Sequence, residues 1–271
     1  MRKSFVICGL ALLGASAASA QESGEFYKLG NRIGVSVGAG LTGVTIDAAT
    51  CLTPYVGVRA GVDIFPNIKV GTELDVDAGA YGADFEQETG YMLPETFDVE
   101  GKTSMTTGHV LLDIHPFKTG FRVTAGAYFG GSKIISVYNK EDGALKDIYK
   151  FNHDERYAAA LKDSKGIGLS LGDYLLAPDH NGNVAATLEV AGFRPYLGIG
   201  FGHAVPKKRI GVQFDLGVQF WGTPKVYVDG DNGKERLTEE DADGKDGGAI
   251  KVLSKISTYP SMTLRLTGRI L

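Results

Sequence analysis

The sequence predicts an all-β fold, an antiparallel up-and-down transmembrane β-barrel of eight strands. Three observations support this prediction: apolar and polar residues alternate in short runs, the connections between these runs alternate in length, and glycine contributes 38 of 271 residues. Alternation with a period of two indicates a strand with one apolar face. Glycine at about twice its average frequency suits tight turns and crowded strand interiors.

The first 20 residues have the features of a secretory signal peptide. Arg2 and Lys3 precede a short apolar segment, and Ala18-Ser19-Ala20 forms an A-x-A cleavage site. We expect residues 1–20 to be cleaved and residues 21–271 to form the barrel domain. The remaining 26 basic and 32 acidic residues argue against nucleic-acid binding.

Cleavage would also leave a single cysteine, Cys51, so that no intramolecular disulfide forms. After residue 20 no run approaches the roughly 18 consecutive apolar residues of a transmembrane helix. This excludes a helical membrane protein. It does not exclude a membrane barrel, whose alternating strands have no long apolar run.

Eight strands follow in order along the chain, each with bulky apolar residues on one face. The predicted strand segments are 32–50, divided in two by a reversal at residues 40–43, then 56–65, 106–117, 121–129, 193–205, 209–221 and 261–271. In the segment 121–129, Phe121, Val123 and Phe129 share the outer face, whereas Arg122 points inward. A narrow barrel interior, where charges pair and backbones crowd, explains an inner face of Arg, Asp and Gly.

The connections alternate between short and long. Short connections fall near residues 51–54, 117–120 and 205–208, and long polar ones near 66–101, 139–186 and 229–257. Short periplasmic turns and long external loops are typical of outer-membrane barrels, and an even strand number closes the sheet. We therefore expect both ends of the barrel sequence on the periplasmic side.

Three motifs resemble a known family. They are "VLLDIHPFKTGFRVTAGAYF" (110–129), "PYLGIGFGHAV" (195–205) and "RIGVQFDLGVQFWGTPKV" (209–226). They are similar to patterns in small bacterial outer-membrane β-barrel proteins with an outer-membrane-protein-A-like, eight-stranded barrel and no appended periplasmic domain. The resemblance covers the strand regions and implies a fold and a location, but it carries no catalytic residue. Such barrels usually end in an aromatic residue, whereas this chain ends Ile270-Leu271.

The candidate functional residues are the inward-facing polar side chains. The predicted lumen charges are Arg59, Asp63, Asp113, Arg122, Arg194, Arg209, Asp215, Arg265 and Arg269. The predicted lumen polar residues are His109, His115, Tyr128, Tyr196 and Gln213. We interpret both sets as a structural network that fills the barrel, because unpaired charges in a narrow interior are costly. The alternative is a narrow pore, in which the excess of arginine would favour anions.

Two further patterns contain residue types that are found in chemical sites. His109, Asp113 and His115 share one face of a strand and would suit a general base or half of a metal site, but a satisfied lumen histidine is the simpler interpretation. Asp229, Asp231, Glu235 and Glu240 match positions 1, 3, 7 and 12 of a calcium loop. Because Gly233 and Lys234 break that motif, we expect a solvated loop there. We assign no catalytic residue, metal or cofactor, and we expect a short helix within residues 152–166.

The function that these observations favour is a structural or surface-interaction role in the outer membrane of a Gram-negative bacterium. The expected partners are outer-membrane lipid, the barrel assembly machinery and an extracellular ligand of the long loops, and we expect a monomer. The alternatives are a narrow pore for ions or small metabolites and, third, an enzyme that modifies lipid or peptide.

Overall fold

The computed structural model describes residues 32–117, 119–157, 166–172, 174–231, 233–238 and 255–270. These residues form two antiparallel sheets and two short helices. Neither described helix has the length and apolar character that a membrane span requires.

The strands alternate between barrel strands and strands of a second sheet. In chain order they are β1 (Ile33–Gly40), β2 (Gly43–Cys51), β3 (Val56–Ile64), β4 (Lys69–Asp77), β5 (Thr96–Thr103), β6 (Thr106–Ile114), β7 (Phe121–Gly130), β8 (Lys133–Asn139), β9 (Gly168–Leu171), β10 (Tyr174–Leu176), β11 (Ala185–Glu189), β12 (Phe193–Phe201), β13 (Ile210–Phe220), β14 (Lys225–Gly230), β15 (Gly233–Leu237) and β16 (Thr258–Arg269). The helices are α1 (Gly82–Thr89) and α2 (Lys146–Asn152).

The first sheet closes on itself. Its order is β1-β2-β3-β6-β7-β12-β13-β16, with every neighbouring pair antiparallel. The closing pair places Val37 opposite Leu266. When the barrel strands alone are counted, each one pairs with the next barrel strand in the sequence. The predicted eight-stranded, up-and-down topology is therefore confirmed.

The outer surface of this barrel is apolar. Val37, Ile46, Val110, Leu197 and Leu264 are each more than 50% exposed, and each alternates with a buried inward neighbour. A water-soluble protein rarely exposes so continuous an apolar surface, whereas a lipid-facing barrel requires one. The predicted transmembrane character of the barrel is therefore confirmed.

Aromatic side chains mark both margins of the apolar surface. At one margin Phe121 lies between Phe117 and Phe201, with ring centroids 6.2 and 5.6 Å away. At the other, Phe129 and Phe193 have centroids 5.4 Å apart. We call the margin at the short connections the short-turn end and the opposite margin the long-connection end. Aromatic rings at both margins are typical of membrane–water interfaces.

The three long connections fold into a second sheet, which we call the cap. Its strand order is β10-β9-β4-β5-β8-β11-β14-β15. The chain passes from β7 into β8 through only Gly131 and Ser132, so the cap continues directly from the barrel strands. Segments predicted as polar loops therefore contain regular strands, because hairpin partners that start together at the barrel margin keep pairing beyond it.

The cap has a hydrophobic core of its own. Phe85 of α1 and Phe151 of α2 meet edge to face with centroids 5.5 Å apart. Around them pack Val99, Leu145, Ile148, Ile167, Leu169, Leu176, Val184 and Ala186. The helix expected within residues 152–166 is not found in the described part of that range: α2 ends at Asn152, and residues 153–157 are not helical. Residues 158–165 lie outside the described part of the chain.

Candidate functional site

Most of the predicted lumen residues are buried inside the barrel. Arg59, Asp63, Asp113, Arg122 and Arg194 have no exposed area, and Tyr128, Gln213, Arg265, His109, Asp215, Tyr196 and His115 expose at most 8%. Their strands present alternate residues to one face, so the period of two places these side chains in the lumen.

Asp215 is the centre of the buried charges. Its Oδ1 accepts a bond of 2.6 Å from Nη2 of Arg122, and its Oδ2 one of 3.0 Å from Nη1 of Arg59. Arg265 donates to the same Oδ2 through Nη1. One carboxylate on β13 therefore contacts three guanidinium groups from β3, β7 and β16. Gln213, one inward position away, accepts a bond of 3.3 Å from Arg59 and donates to Thr267.

Asp113 gives two of these arginines a second carboxylate. Its Oδ1 lies 3.4 Å from Nη2 of Arg59 and 3.5 Å from Nε of Arg122. The same oxygen accepts a bond of 2.7 Å from the Thr124 hydroxyl. A buried charge is tolerated when it is paired and hydrogen-bonded, and Oδ1 of Asp113 meets that condition, whereas Oδ2 has no hydrogen-bond partner among the described residues.

Asp47 completes the network, although it is not among the predicted lumen charges. Its Oδ2 lies 2.7 Å from Nε of Arg265 and accepts a bond of 3.1 Å from Ser36. Its Oδ1 lies 2.5 Å from Nε2 of His109. The period of two along β2, with Val44 and Ile46 exposed and Thr45 and Asp47 buried, would have identified it.

His109 lies between two carboxylates. Nε2 faces Asp47, and Nδ1 is 3.3 Å from Oδ2 of Asp63. Only an imidazolium presents a proton on both ring nitrogens. In that form His109 and the three arginines would balance the four aspartates of the lumen. Asp63 is therefore a partner of His109, not of an arginine.

The catalytic alternative for His109, Asp113 and His115 is not assembled by the fold. His109 is 2% exposed and contacts Asp47 and Asp63, whereas Asp113 contacts Arg59, Arg122 and Thr124. His115 lies beyond the strand, at the short-turn end. The shared face that the sequence indicated is real, but the three side chains have separate partners.

A loop segment closes the short-turn end. Residues 203–206 fold across the barrel mouth, where Ala204 and Val205 are buried against Ala49. The Ala204 carbonyl oxygen occupies the space that a Cβ on inward-facing Gly34 would need. We call residues 203–206 the plug. Nη1 of Arg122 donates to the carbonyl of Gly202, the residue before the plug, at 2.7 Å, so the ion network contacts the start of this segment.

A cavity of about 580 Å³ lies beside the plug. His115 and His203, whose rings stack with centroids 5.1 Å apart, contribute to its wall together with Arg32, Lys207 and Arg269. Burial lowers the pKa of His203, and its electrostatic interactions with His115, Lys207 and Arg122 lower that pKa further.

Arg194, Arg209 and Arg269 do not belong to the ion network as predicted. Arg194 is buried at the long-connection end, where it donates to the carbonyls of Ala191 (2.8 Å) and Gly131 (2.6 Å). Arg209 is exposed because it precedes β13. Arg269, the last residue of β16, donates to the Lys207 carbonyl at 2.9 Å. The period of two predicts on which face of a strand these three arginines lie. It does not predict that they lie at or beyond the strand ends, away from the central carboxylates.

Aromatic packing covers the lumen at the long-connection end. The Trp221 ring stacks on Tyr259 at 4.4 Å, and the Arg194 guanidinium lies 5.6 Å from the Trp221 ring centroid. Nε1 of Trp221 donates to Oε1 of Gln219 at 3.2 Å.

The segment expected to be a solvated loop, in which four acidic residues match positions of a broken calcium motif, begins with a hairpin between β14 and β15. Asp229 pairs with Lys234, whereas Glu235 pairs with Val228, so the carboxylates do not converge on one point. Among the described residues no group of three His, Cys, Asp or Glu is placed to hold a metal. Although burial alone would raise the pKa of Asp231, hydrogen bonds from His180 and Tyr149 keep it below its usual value. Glu240 lies outside the described residues.

No family model and no curated protein matches the chain. Among solved structures, the fold of this chain is similar to that of CarO2 of Acinetobacter baumannii, with 17% sequence identity and a TM-score of 0.47. The match covers 89% of this chain and 99% of CarO2. The structure of CarO from the same organism gives 15% identity and a TM-score of 0.41. This match covers 87% of this chain and 96% of CarO. The structure of a major outer membrane protein of Thermus thermophilus gives 16% identity and a TM-score of 0.34. This match covers 88% of this chain and 98% of that protein. By its own strand order, closure and apolar exterior, this protein is a small eight-stranded transmembrane β-barrel.

Proposed function

We propose that the protein is an outer-membrane barrel of a Gram-negative bacterium that anchors the cap at the cell surface. In this arrangement the short-turn end faces the periplasm and the long-connection end faces outward. The barrel contacts outer-membrane lipid, is inserted by the barrel assembly machinery and acts as a monomer. The cap meets an extracellular ligand.

The packed lumen is the observation that carries this proposal. Arg59, Arg122 and Arg265 expose at most 2% of their area and face Asp47, Asp113 and Asp215 at hydrogen-bonding distance. An eight-stranded barrel has an interior just wide enough for its own side chains. Conduction would require the ion pairs and the plug at residues 203–206 to move together. This supports an anchor over a pore.

The cap supports a role at the surface. It extends all three long connections into ordered strands and buries Phe85, Phe151 and Leu169 in its own core. Ordering that much chain costs conformational entropy. A loop without a function would not require this cost. We infer that the cap presents a defined surface to a binding partner and that the protein is not an enzyme.

Conductance in a planar lipid bilayer tests the anchor against the pore. The folded barrel, identified by its different gel mobility before and after boiling, is expected to insert without discrete current steps. Steps that change size when Arg122 is replaced by Gln would show an open lumen and overturn the proposal. The matched control is Arg236→Gln, which removes an exposed arginine from β15 of the cap.

A further inference from the structure

Two histidines join the plug to the barrel wall. His115 directly follows β6, and His203 is the first residue of the plug. Their rings stack with centroids 5.1 Å apart and planes inclined by 23°. The His115 ring also has a hydrogen bond with the backbone of Gly202, and the His115 N–H donates to the Tyr55 carbonyl at 2.7 Å. The wall therefore holds His115 in place, and the plug packs against it through His203.

The surroundings of His115 favour its neutral form. Burial lowers the pKa of His115, and the negative charge of Asp113 opposes this shift. Interaction with Arg122 lowers the pKa further, whereas the hydrogen bond to the Gly202 backbone raises it. The net result is a pKa below the usual value. His115 lies beyond the last residue of β6, so it is outside the membrane-spanning strand.

His203 has the same preference for the neutral form. Burial lowers its pKa, and interactions with His115, Lys207 and Arg122 lower it further. The other ionisable side chains among the described residues of the adjacent cavity wall are Arg32, Cys51, Lys207 and Arg269. Two neutral imidazoles can stack closely, whereas two imidazolium ions in the same positions repel each other.

The plug is connected to the barrel through a glycine. Gly202 has a φ of 94°, a conformation that glycine adopts at little cost, and it lies directly after β12. The plug belongs to neither β12 nor β13, and its buried contacts are those of the small apolar side chains of Ala204 and Val205 with Ala49. Rotation about Gly202 can therefore move the plug without separating any pair of barrel strands.

We propose that His115 and His203 form an acid-sensitive latch, which releases the plug from the barrel mouth when both rings are protonated. Protonation places two positive charges about 5 Å apart, as the ring centroids are. The closed form binds fewer protons than the open form, because the pKa of each histidine is lowered when the plug is closed. Closure is therefore favoured above the ordinary histidine pKa of about 6.5 and is weakened as the pH falls below it.

The latch goes beyond the proposed anchor function, because it gives the barrel a response to its surroundings. In the proposed orientation it would respond to the pH of the periplasm. Release of the plug would uncover Ala49 and the wall of the cavity at the short-turn end. Asp215 and its three arginines would keep their contacts, because these are made between barrel strands.

Amide hydrogen exchange of the full chain in detergent micelles tests the latch. Peptides that cover residues 203–205 are followed by mass spectrometry, and protection is expressed relative to the intrinsic exchange rate at each pH. Protection of these amides is expected to fall about tenfold or more between about pH 7.5 and about pH 5, whereas peptides from β12 should change little. Equal protection of the plug at the two pH values would overturn the proposal.

Phenylalanine variants separate the charge from the stacking. His203→Phe and His115→Phe each keep an aromatic ring but cannot be protonated, so plug protection should become independent of pH in both. His180→Phe, which replaces an exposed histidine of the cap, is the matched control and should keep the response of the unmodified protein. A response that persists in His203→Phe and His115→Phe would assign release to other groups and reject the latch. Gel mobility before and after boiling reports whether each variant is folded.

Titration of the histidine rings by NMR tests the unmodified protein, independently of any substitution. The ring signals of His115 and His203 should shift over the same pH range in which the plug loses protection. Loss of protection while both rings remain neutral would also reject the latch. Conductance at neutral pH is a separate measurement, so failure of the latch leaves the proposed anchor function untouched.

Discussion

At the scale of single residues, Asp215 carries the largest share of the lumen charge balance. It is 3% exposed and contacts Arg59, Arg122 and Arg265. Leaving buried charges without their partner is far more costly than never having placed the pair. The stability of the barrel should therefore depend more on this carboxylate than on any exposed ion pair.

Asp215→Asn is expected to destabilise the folded barrel by about 3–5 kcal/mol, since three buried guanidinium groups lose a shared carboxylate. The measurement is urea unfolding in detergent micelles, followed by circular dichroism. Asp75→Asn, at an exposed position of β4, is the matched control and should change stability little. Equal effects of the two substitutions would contradict the central role of Asp215.

Glycine also acts at the scale of single residues, at positions where another side chain needs the space. The Tyr196 hydroxyl lies where a Cβ on Gly217 would be, and the Leu197 carbonyl would be 2.7 Å from that Cβ. The Tyr196 ring can therefore lie flat across the lumen wall only because position 217 has no side chain.

Gly217→Ala is expected to cost about 1–3 kcal/mol, because the added methyl collides with a ring and with backbone. Gly268→Ala is the control on the neighbouring strand, since a Cβ there has no heavy atom within 4 Å. Thermal unfolding, read from the gel mobility shift across a temperature series, compares the two. A Gly217 variant as heat-resistant as the Gly268 variant would argue against close packing of Tyr196.

At the scale of elements, the cap and the barrel are stabilised by different forces. The barrel has lipid-facing apolar residues outside and ion pairs inside, whereas the cap buries Phe85 and Phe151 between its helices and its sheet. The cap core is thus that of a water-soluble domain. Damage to one unit should leave the other folded.

Phe151→Ala tests this separation. Loss of a buried aromatic ring should destabilise the cap by about 3–5 kcal/mol, while the barrel keeps its gel mobility shift. Limited proteolysis should then cut within the cap, and amide hydrogen exchange should accelerate in β4 and β5. Tyr91→Ala, which removes a side chain that is 71% exposed, serves as the control. Simultaneous loss of the barrel would show that the two units fold as one.

At the scale of the whole molecule, an exposed apolar residue is required where the surface contacts lipid and is not required where the surface contacts water. Leu264 in β16 and Val70 in β4 are almost equally exposed, at 58% and 57%. Leu264 lies in the middle of a barrel strand, whereas Val70 lies in the cap. The same polar substitution should therefore have different consequences at these two positions.

Leu264→Arg is expected to destabilise the barrel in a bilayer by about 2–4 kcal/mol, the cost of a charge on the lipid face near the midplane. Val70→Arg should be tolerated, because its side chain faces water. Both are measured as folding free energies in phospholipid vesicles. A neutral Leu264→Arg would contradict the placement of the barrel in a membrane.

The sequence by itself determined the eight barrel strands, their inward and outward faces and the number that closes the barrel. Inward Arg122 between outward Phe121 and Val123 is visible in a period of two, because each strand residue is placed by local backbone geometry alone. Twelve of the predicted lumen residues are buried, and eleven of them lie on barrel strands. Asp47 obeys the same rule.

Only the tertiary structure decided which charges meet. Arg59 and Asp215 are 156 residues apart in sequence, and their 3.0 Å contact depends on closure of the sheet and on the length of both side chains. The tertiary structure also shows that Arg194 contacts backbone carbonyls, that Arg209 is exposed before the start of β13 and that Ala204 and Val205 are buried against Ala49. Periodicity gives the direction of a side chain. The partner it meets is fixed by the whole fold, because pairing across a lumen joins strands that share no local sequence.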